Sequence, residues 1–196
     1  MPSSLGDSAF DILFRNARTQ NGFSNDPVSD ELLKRLWEIT RMGPTSMNCQ
    51  PARILFLRTP AAKARLIPAL SPSNVDKVKQ APVTALVAID TRFFEHMPTI
   101  WHGDGAREMF ANNTALAEGT ATRNGTLQGA YLMIVARGLG LDCGPMSGFD
   151  QAKANAEFFA DGRFKSNFLC NLGYGDPSKL FKRNRRFDFD EACQLL

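Results

Sequence analysis

The chain has 196 residues, of which 43% are apolar, 22% charged and 10% aromatic, with a formal net charge of +3. That length supports one domain over residues 1–196 with a substantial core, and the composition excludes disordered and fibrous classes. No apolar run reaches the roughly 20 residues needed to cross a bilayer, and MPSSLGDSAF lacks a leader pattern, so a cytoplasmic location is expected.

Phe10, Leu13, Phe14 and Ala17 recur at helical spacing behind Asp7 and Ser8, predicting a first helix that ends near Arg18. Ser29 starts a second helix whose first turn carries Asp30 and Glu31. It should bury Leu32, Leu33, Leu36, Trp37 and Ile39 before Gly43 and Pro44 stop it. Residues 54–57 read as a short strand, 61–70 as a helix and 83–89 as a second apolar strand. The stretch 93–105 is aromatic and irregular. A long helix follows over 114–137, with Leu127, Ala130, Tyr131, Ile134 and Val135 as its apolar stripe and Gly138 and Gly140 at its end. Beyond Met146 come a helix over 151–159, a strand over 167–172 and a polar tail.

Several chemistries can be set aside. Cys49, Cys143, Cys170 and Cys193 are far apart without a CxxC pair, which fits reduced thiols. His96 and His102 form no zinc pattern, so no metal is expected. Ser147 lacks the surroundings of a hydrolase nucleophile. The glycines from Gly138 to Gly144 follow a predicted helix instead of joining strand to helix, so they read as a helix terminus and not a dinucleotide loop. Lys179, Lys182, Arg183, Arg185 and Arg186 form a basic cluster, either a solvated tail or a phosphate clamp; with no nucleic-acid-binding motif beside it, nucleic acid is not an expected partner.

What remains is a set of polar loops. Arg18 and Thr19 pair a guanidinium with a hydroxyl, a combination suited to phosphate. Residues 44–51 place hydroxyl and amide groups between two prolines, either as a capped turn or as a surface for the edge of a flat ring.

Through ARTQNGF, GPTSMNCQPARI, GLGLDCGPMSGFD and LGYGDPSKL, spread over nearly the whole chain, the sequence resembles the nitroreductase family of FMN enzymes. Within it the chain is most similar to the branch that reduces malonic semialdehyde in pyrimidine degradation and to related NADH dehydrogenase/NAD(P)H nitroreductases. The resemblance implies an α+β, three-layer fold whose mainly antiparallel central sheet is flanked by helices. It also implies a homodimer with FMN at the interface, the long helix packed there and C-terminal segments around the partner.

Family roles carry over residue by residue. Arg18 and Thr19 fall at the flavin phosphate and ribityl chain, with Asn21 where many relatives have another arginine. Pro44, Thr45, Ser46, Asn48 and Gln50 match a loop that in part reaches the neighbouring subunit's flavin. Asn74 and Lys77, in SPSNVDKVKQAP, fall near the pyrimidine edge, where a cation stabilises the reduced ring. Pro145, Met146, Ser147 and Gly148 match the loop whose backbone approaches flavin N5, with Ser147 where many relatives have glutamate. Arg186 matches the family's basic phosphate element best, Arg183 and Arg185 less closely, which favours the clamp over the solvated tail.

The implied reaction is ping-pong: NADPH or NADH reduces FMN and leaves, and malonic semialdehyde then becomes 3-hydroxypropionate. No side chain is catalytic in this reading; flavin N5 carries the chemistry, supported by Lys77, Ser147 and Gly148. A broad nitro or quinone reductase and a non-catalytic flavin-binding protein are the alternatives. The motifs do not choose between the two nicotinamides.

Overall fold

The structure, a computed structural model, describes residues 4–196. Its helices are α1 (Asp7–Phe10, continuing as a wider turn over Asp11–Arg15), α2 (Asp30–Thr40), α3 (Pro60–Leu66), α4 (Pro72–Gln80), α5 (Met97–Ile100), α6 (Ala106–Ala111), α7 (Thr114–Gly138), α8 (Gln151–Phe158) and α9 (Phe189–Ala192). The strands are β1 (Ala52–Leu57), β2 (Val83–Asp90), β3 (Asp142–Met146) and β4 (Phe164–Gly173).

They form one sheet in the order β1-β2-β4-β3, antiparallel throughout. The run VTALVAID has no polar alternation because both faces of β2 are covered. Val83, Ala85 and Val87 pack with Leu33 and Leu36 of α2 and Leu132 of α7. Leu86 and Ala88 pack with Leu66 of α3, Val78 of α4 and Ala154 of α8. Side chains that alternate across a strand thus feed two helical layers, and the α+β, three-layer arrangement is observed. Among the described residues no helix is long and apolar enough to cross a membrane.

Local signals placed most of these elements. Ser29 caps α2 by accepting from the Leu32 N–H at 3.1 Å, and Asn113 caps α7 through Leu116 at 3.0 Å. Three expectations need correction, and one helix was not expected. The first helix ends at Arg15 and buries none of its residues; Phe10 and Phe14 stay exposed because it lies at the margin of the fold, tied by Arg137 to the Leu13 carbonyl at 2.9 Å. The segment ahead of β2 is helical over Pro72–Gln80, with only Asn74 and Val78 buried, too little to show an apolar period. Strands β1 and β4 extend beyond their apolar runs to Ala52 and Phe164, because Arg53 and Lys165 have ladder partners on β2. The stretch 93–105 contains short helical turns, including Phe93–His96 and Met97–Ile100.

Helix α7 departs further. Its buried face carries Ala121, Asn124, Gly125, Gln128, Leu132 and Ala136, whereas Leu127 of the expected stripe is exposed. The reason is the closeness of the sheet: a Cβ on Gly125 would lie 2.4 Å from Ile89 Cγ2. Gln128 is buried because its Oε1 accepts the Ala52 N–H at 2.8 Å, docking the start of β1. Gly125→Val is therefore expected to lower stability by about 1–3 kcal/mol through overpacking, as measured by urea unfolding; unchanged stability would contradict this contact.

Candidate functional site

Two groups of the polar loops are assembled at opposite edges of the sheet. At the β3 edge, Thr19 bridges to Cys143 and the Gln20 N–H donates to the Cys143 carbonyl at 2.9 Å, so residues 18–21 run beside the strand. Arg18 donates to the Phe181 carbonyl. Arg183 donates to the carbonyls of Arg15 at 2.8 Å and Ala17 at 3.0 Å, which brings the tail alongside Arg18. Arg186, the better motif match, is not brought there within one chain: it donates to the carbonyls of Asn184 and Arg185. Arg185 pairs with Glu191, so this part of the tail folds only on its own short helix, α9.

Where β3 ends, the Phe149 N–H donates to the Ser147 carbonyl at 2.9 Å, forming a tight turn centred on Gly148. The Gly148 carbonyl accepts from the Ser71 N–H and from Asn74 Nδ2, both at 3.0 Å. A Cβ at position 148 would approach Asn74 Nδ2 to 2.8 Å, so the turn needs a residue without one. The N–H groups of Ser147 and Gly148 donate to nothing among the described residues and are free for a ligand. Asn74 itself is buried and acts as the clamp on this turn. Lys77 lies one turn along α4 and is held through its carbonyl by Asn171 Nδ2 at 3.0 Å. Among the described residues only Lys153 and Lys165 pair with carboxylates, which leaves the Lys77 ammonium unpaired.

This edge therefore presents guanidinium groups at Arg18 and Arg183, a hydroxyl at Thr19 and two backbone N–H groups, and Lys77 follows Asn74 on the adjoining helix α4. All can donate. An elongated anion with a hydrogen-bond-accepting ring fits such a set, so the residues present suit FMN.

The other group precedes β1. Pro44 is tied to Tyr131 Oη at 3.0 Å, and the Ser46 N–H to Asn124 Oδ1 at 2.8 Å, both on α7. Thr45 Oγ1 accepts the Gln50 N–H at 3.2 Å, Asn48 Nδ2 donates to the Ile100 carbonyl at 2.8 Å, and Gln50 Nε2 donates to Asn48 Oδ1 at 3.0 Å. Met47, Asn48 and Gln50 have φ of 50°, 52° and 38°, left-handed backbone that side chains with a Cβ disfavour. Strain of this kind persists only where contacts enforce it, and it concentrates at functional sites. Within one chain this loop does not meet the β3 edge: three strand spacings, roughly 14 Å, separate β1 from β3.

The sequence reading passed over two features. Gln20 is buried and its Oε1 has no partner among the described residues; its neighbours Arg18 and Asn21 drew the motif match. Asp90, which ends the apolar run of β2, is fully buried between Arg53 at 2.9 Å and Arg163 at 3.1 Å. A carboxylate at a strand end reads as a boundary, and its partner Arg163 is distant in sequence. Contact with Asp90 raises the Arg163 guanidinium, while burial lowers that of Arg53 against the pull of the same carboxylate.

Residues 15–174 match the nitroreductase family, and the chain belongs to it. A protein of Burkholderia lata that carries the provisional name NADH dehydrogenase/NAD(P)H nitroreductase is 55% identical over 98% of this chain and 99% of its own. One of the same provisional name from Polynucleobacter asymbioticus is 50% identical over the whole of both chains. Among solved structures, a provisionally named nitroreductase from Exiguobacterium sibiricum, in complex with FMN, superposes with a TM-score of 0.85 over all of both chains at 19% identity. A nitroreductase family protein from Streptococcus pneumoniae gives 0.82 over 95% of this chain and 100% of its own at 22% identity. These two show that the fold is shared.

Cys49 sits buried within the strained loop, where desolvation pushes its thiol up to about 11. At pH 8 iodoacetamide should therefore modify it on the order of a hundredfold more slowly than an unstructured cysteine peptide. Equal rates, read by peptide mass spectrometry, would contradict this environment.

Proposed function

We propose that this chain, as one domain over residues 1–196, is an FMN-dependent NAD(P)H oxidoreductase that works as a cytoplasmic homodimer and reduces malonic semialdehyde to 3-hydroxypropionate. Its family membership makes it a flavin oxidoreductase of the NAD(P)H nitroreductase type. The observation that carries the reading is the edge of β3, where Arg18, Thr19 and the N–H groups of Ser147 and Gly148 offer donors to one elongated anion.

When bound, FMN supplies the centre that accepts hydride from NADPH or NADH and passes it to the acceptor. Arg18 and Arg183 would hold the phosphate, and Thr19 and Asn21 would bind the ribityl chain. Lys77 would supply positive charge to offset the negative charge that the ring gains on reduction. Pro145 and Met146 lead the chain into the Ser147–Gly148 turn, and Asn74 holds that turn through the Gly148 carbonyl. Arg186 joins the phosphate group only if the tail rearranges in the dimer. No side chain is required as a nucleophile or proton donor to the cofactor.

Two copies reconcile the opposite edges. Thr45, Ser46, Asn48 and Gln50 of one copy complete the site on β3 of the other, with Pro44 fixing their approach. In support, Leu127 on α7 and Phe10 and Phe14 near the N-terminus are exposed in the single chain. The free edge of β1 borders a cavity of about 610 Å³ lined by Trp37, Ile54 and Phe56, and the tail exposes Phe181 and Phe187. A tail with exposed phenylalanines and a free strand edge are suited to each other across a dimer.

Malonic semialdehyde is favoured by the match of ARTQNGF, GPTSMNCQPARI, GLGLDCGPMSGFD and LGYGDPSKL to that branch of the family. Purified protein is expected to be yellow, to bleach on anaerobic mixing with NADPH or NADH, and to sediment as a dimer. Turnover of malonic semialdehyde well above that of a nitroaromatic or quinone supports the acceptor; the reverse ranking assigns a broad reductase. Failure to bleach assigns flavin binding without catalysis. Arg18→Ala should weaken FMN affinity roughly tenfold to a hundredfold, as expected for a charge-assisted phosphate contact; wild-type affinity by fluorescence titration would remove that role.

A further inference from the structure

Arg53 is the second residue of β1, and its side chain turns back onto the strained loop. One terminal nitrogen donates to the carbonyls of Gln50 and Ala52, each at 2.9 Å, and the other donates to Asp90 Oδ2 at 2.9 Å. Asp90 is a fixed point. It has no exposed surface, its N–H donates to the Pro51 carbonyl at 2.8 Å, and Arg163 binds both carboxylate oxygens, through Nε at 3.2 Å and Nη2 at 3.1 Å.

The Gln50 carbonyl belongs to the last of the three residues at positive φ, and among the described residues no other group donates to it. Thr45 Oγ1 holds the N–H side of Gln50, so Arg53 supplies the complementary hold on its carbonyl side. A planar guanidinium reaches the two carbonyls through one terminal nitrogen and the carboxylate through the other, whereas the donors of an ammonium all radiate from a single atom.

We infer that Arg53 is a positioning residue: anchored on Asp90 and gripping the Gln50 carbonyl, it holds Asn48 and Gln50 in the strained orientation that meets the cofactor. The inference rests on the reading of this loop as a wall of the FMN site. Arg53 does not itself touch the flavin. It acts on the loop, and so on the geometry in which the ring is seated.

Arg53→Lys keeps a positive charge beside Asp90 and removes the fork. With the full-length protein, FMN affinity is read by fluorescence titration and ring seating by the visible circular dichroism of bound flavin. The expected result is at least a tenfold loss of affinity with an altered dichroic band, in a protein whose far-ultraviolet spectrum is unchanged. A folded Arg53→Lys with wild-type affinity and band would overturn the inference. Adding Met47→Gly, which lets position 47 take left-handed backbone without restraint, should restore much of the loss.

Absence of that restoration also counts against the positioning role, because the defect then lies outside the loop. Should Arg53→Lys alone not be recovered folded, the double variant decides: recovery with the wild-type band supports the inference, and failure opposes it. Asn48→Ala separates the underlying reading. If it leaves FMN affinity and dichroism unchanged, the loop is not a cofactor wall; if it weakens binding while Arg53→Lys does not, only the role of Arg53 falls.

Discussion

Strand β2 has no exposed residue, and both of its hydrogen-bonding edges are occupied, by β1 and by β4. A buried strand must satisfy every backbone group within the protein, so its neighbours are held in register along its length. With β2 and β4 in the middle, β1 and β3 become the edges. Thr84 on β2 donates to Asn171 Oδ1 on β4 at 2.6 Å, and Asn171 in turn donates to the Lys77 carbonyl. One buried polar relay thus runs from the central strand to helix α4, which carries Asn74 and Lys77.

The two edges have different character. Along β3 the chain exposes donors: guanidinium groups, a hydroxyl and free N–H groups. Along β1 it presents a loop whose backbone is held against its own preference by α7, Thr45 and Arg53. Within one chain the two edges stay apart, which is why the proposed cofactor site draws on a second copy. Helix α7 serves both ends. Asn124 and Gln128 hold the entry to β1, and glycines let the helix lie against the sheet, at the expense of an apolar outer face left exposed.

Much of this was legible in the residues. Ser29 named the start of α2, residues 114–137 were readable as the long helix α7, and the apolar run over 83–89 named the strand β2. The motif match assigned 18–21, 74–77 and 145–148 to one ligand; in the fold, residues 18–21 run beside β3 and Asn74 binds the turn at Gly148. Less legible were α4, with only two buried residues, and the first helix, whose regular apolar spacing corresponds to no burial within the chain.

By itself, then, the sequence determined the element types where capping and periodicity agree, the family, and the segments that carry polar chemistry. These are local properties, written in the spacing of neighbouring residues. Tertiary structure alone decided which face of α7 is buried, that Asp90 joins Arg53 and Arg163, and that the two polar groups stand on opposite edges. Those outcomes depend on strand order and register, which bring together residues as distant as Asp90 and Arg163, and no local pattern encodes a partner that far along the chain.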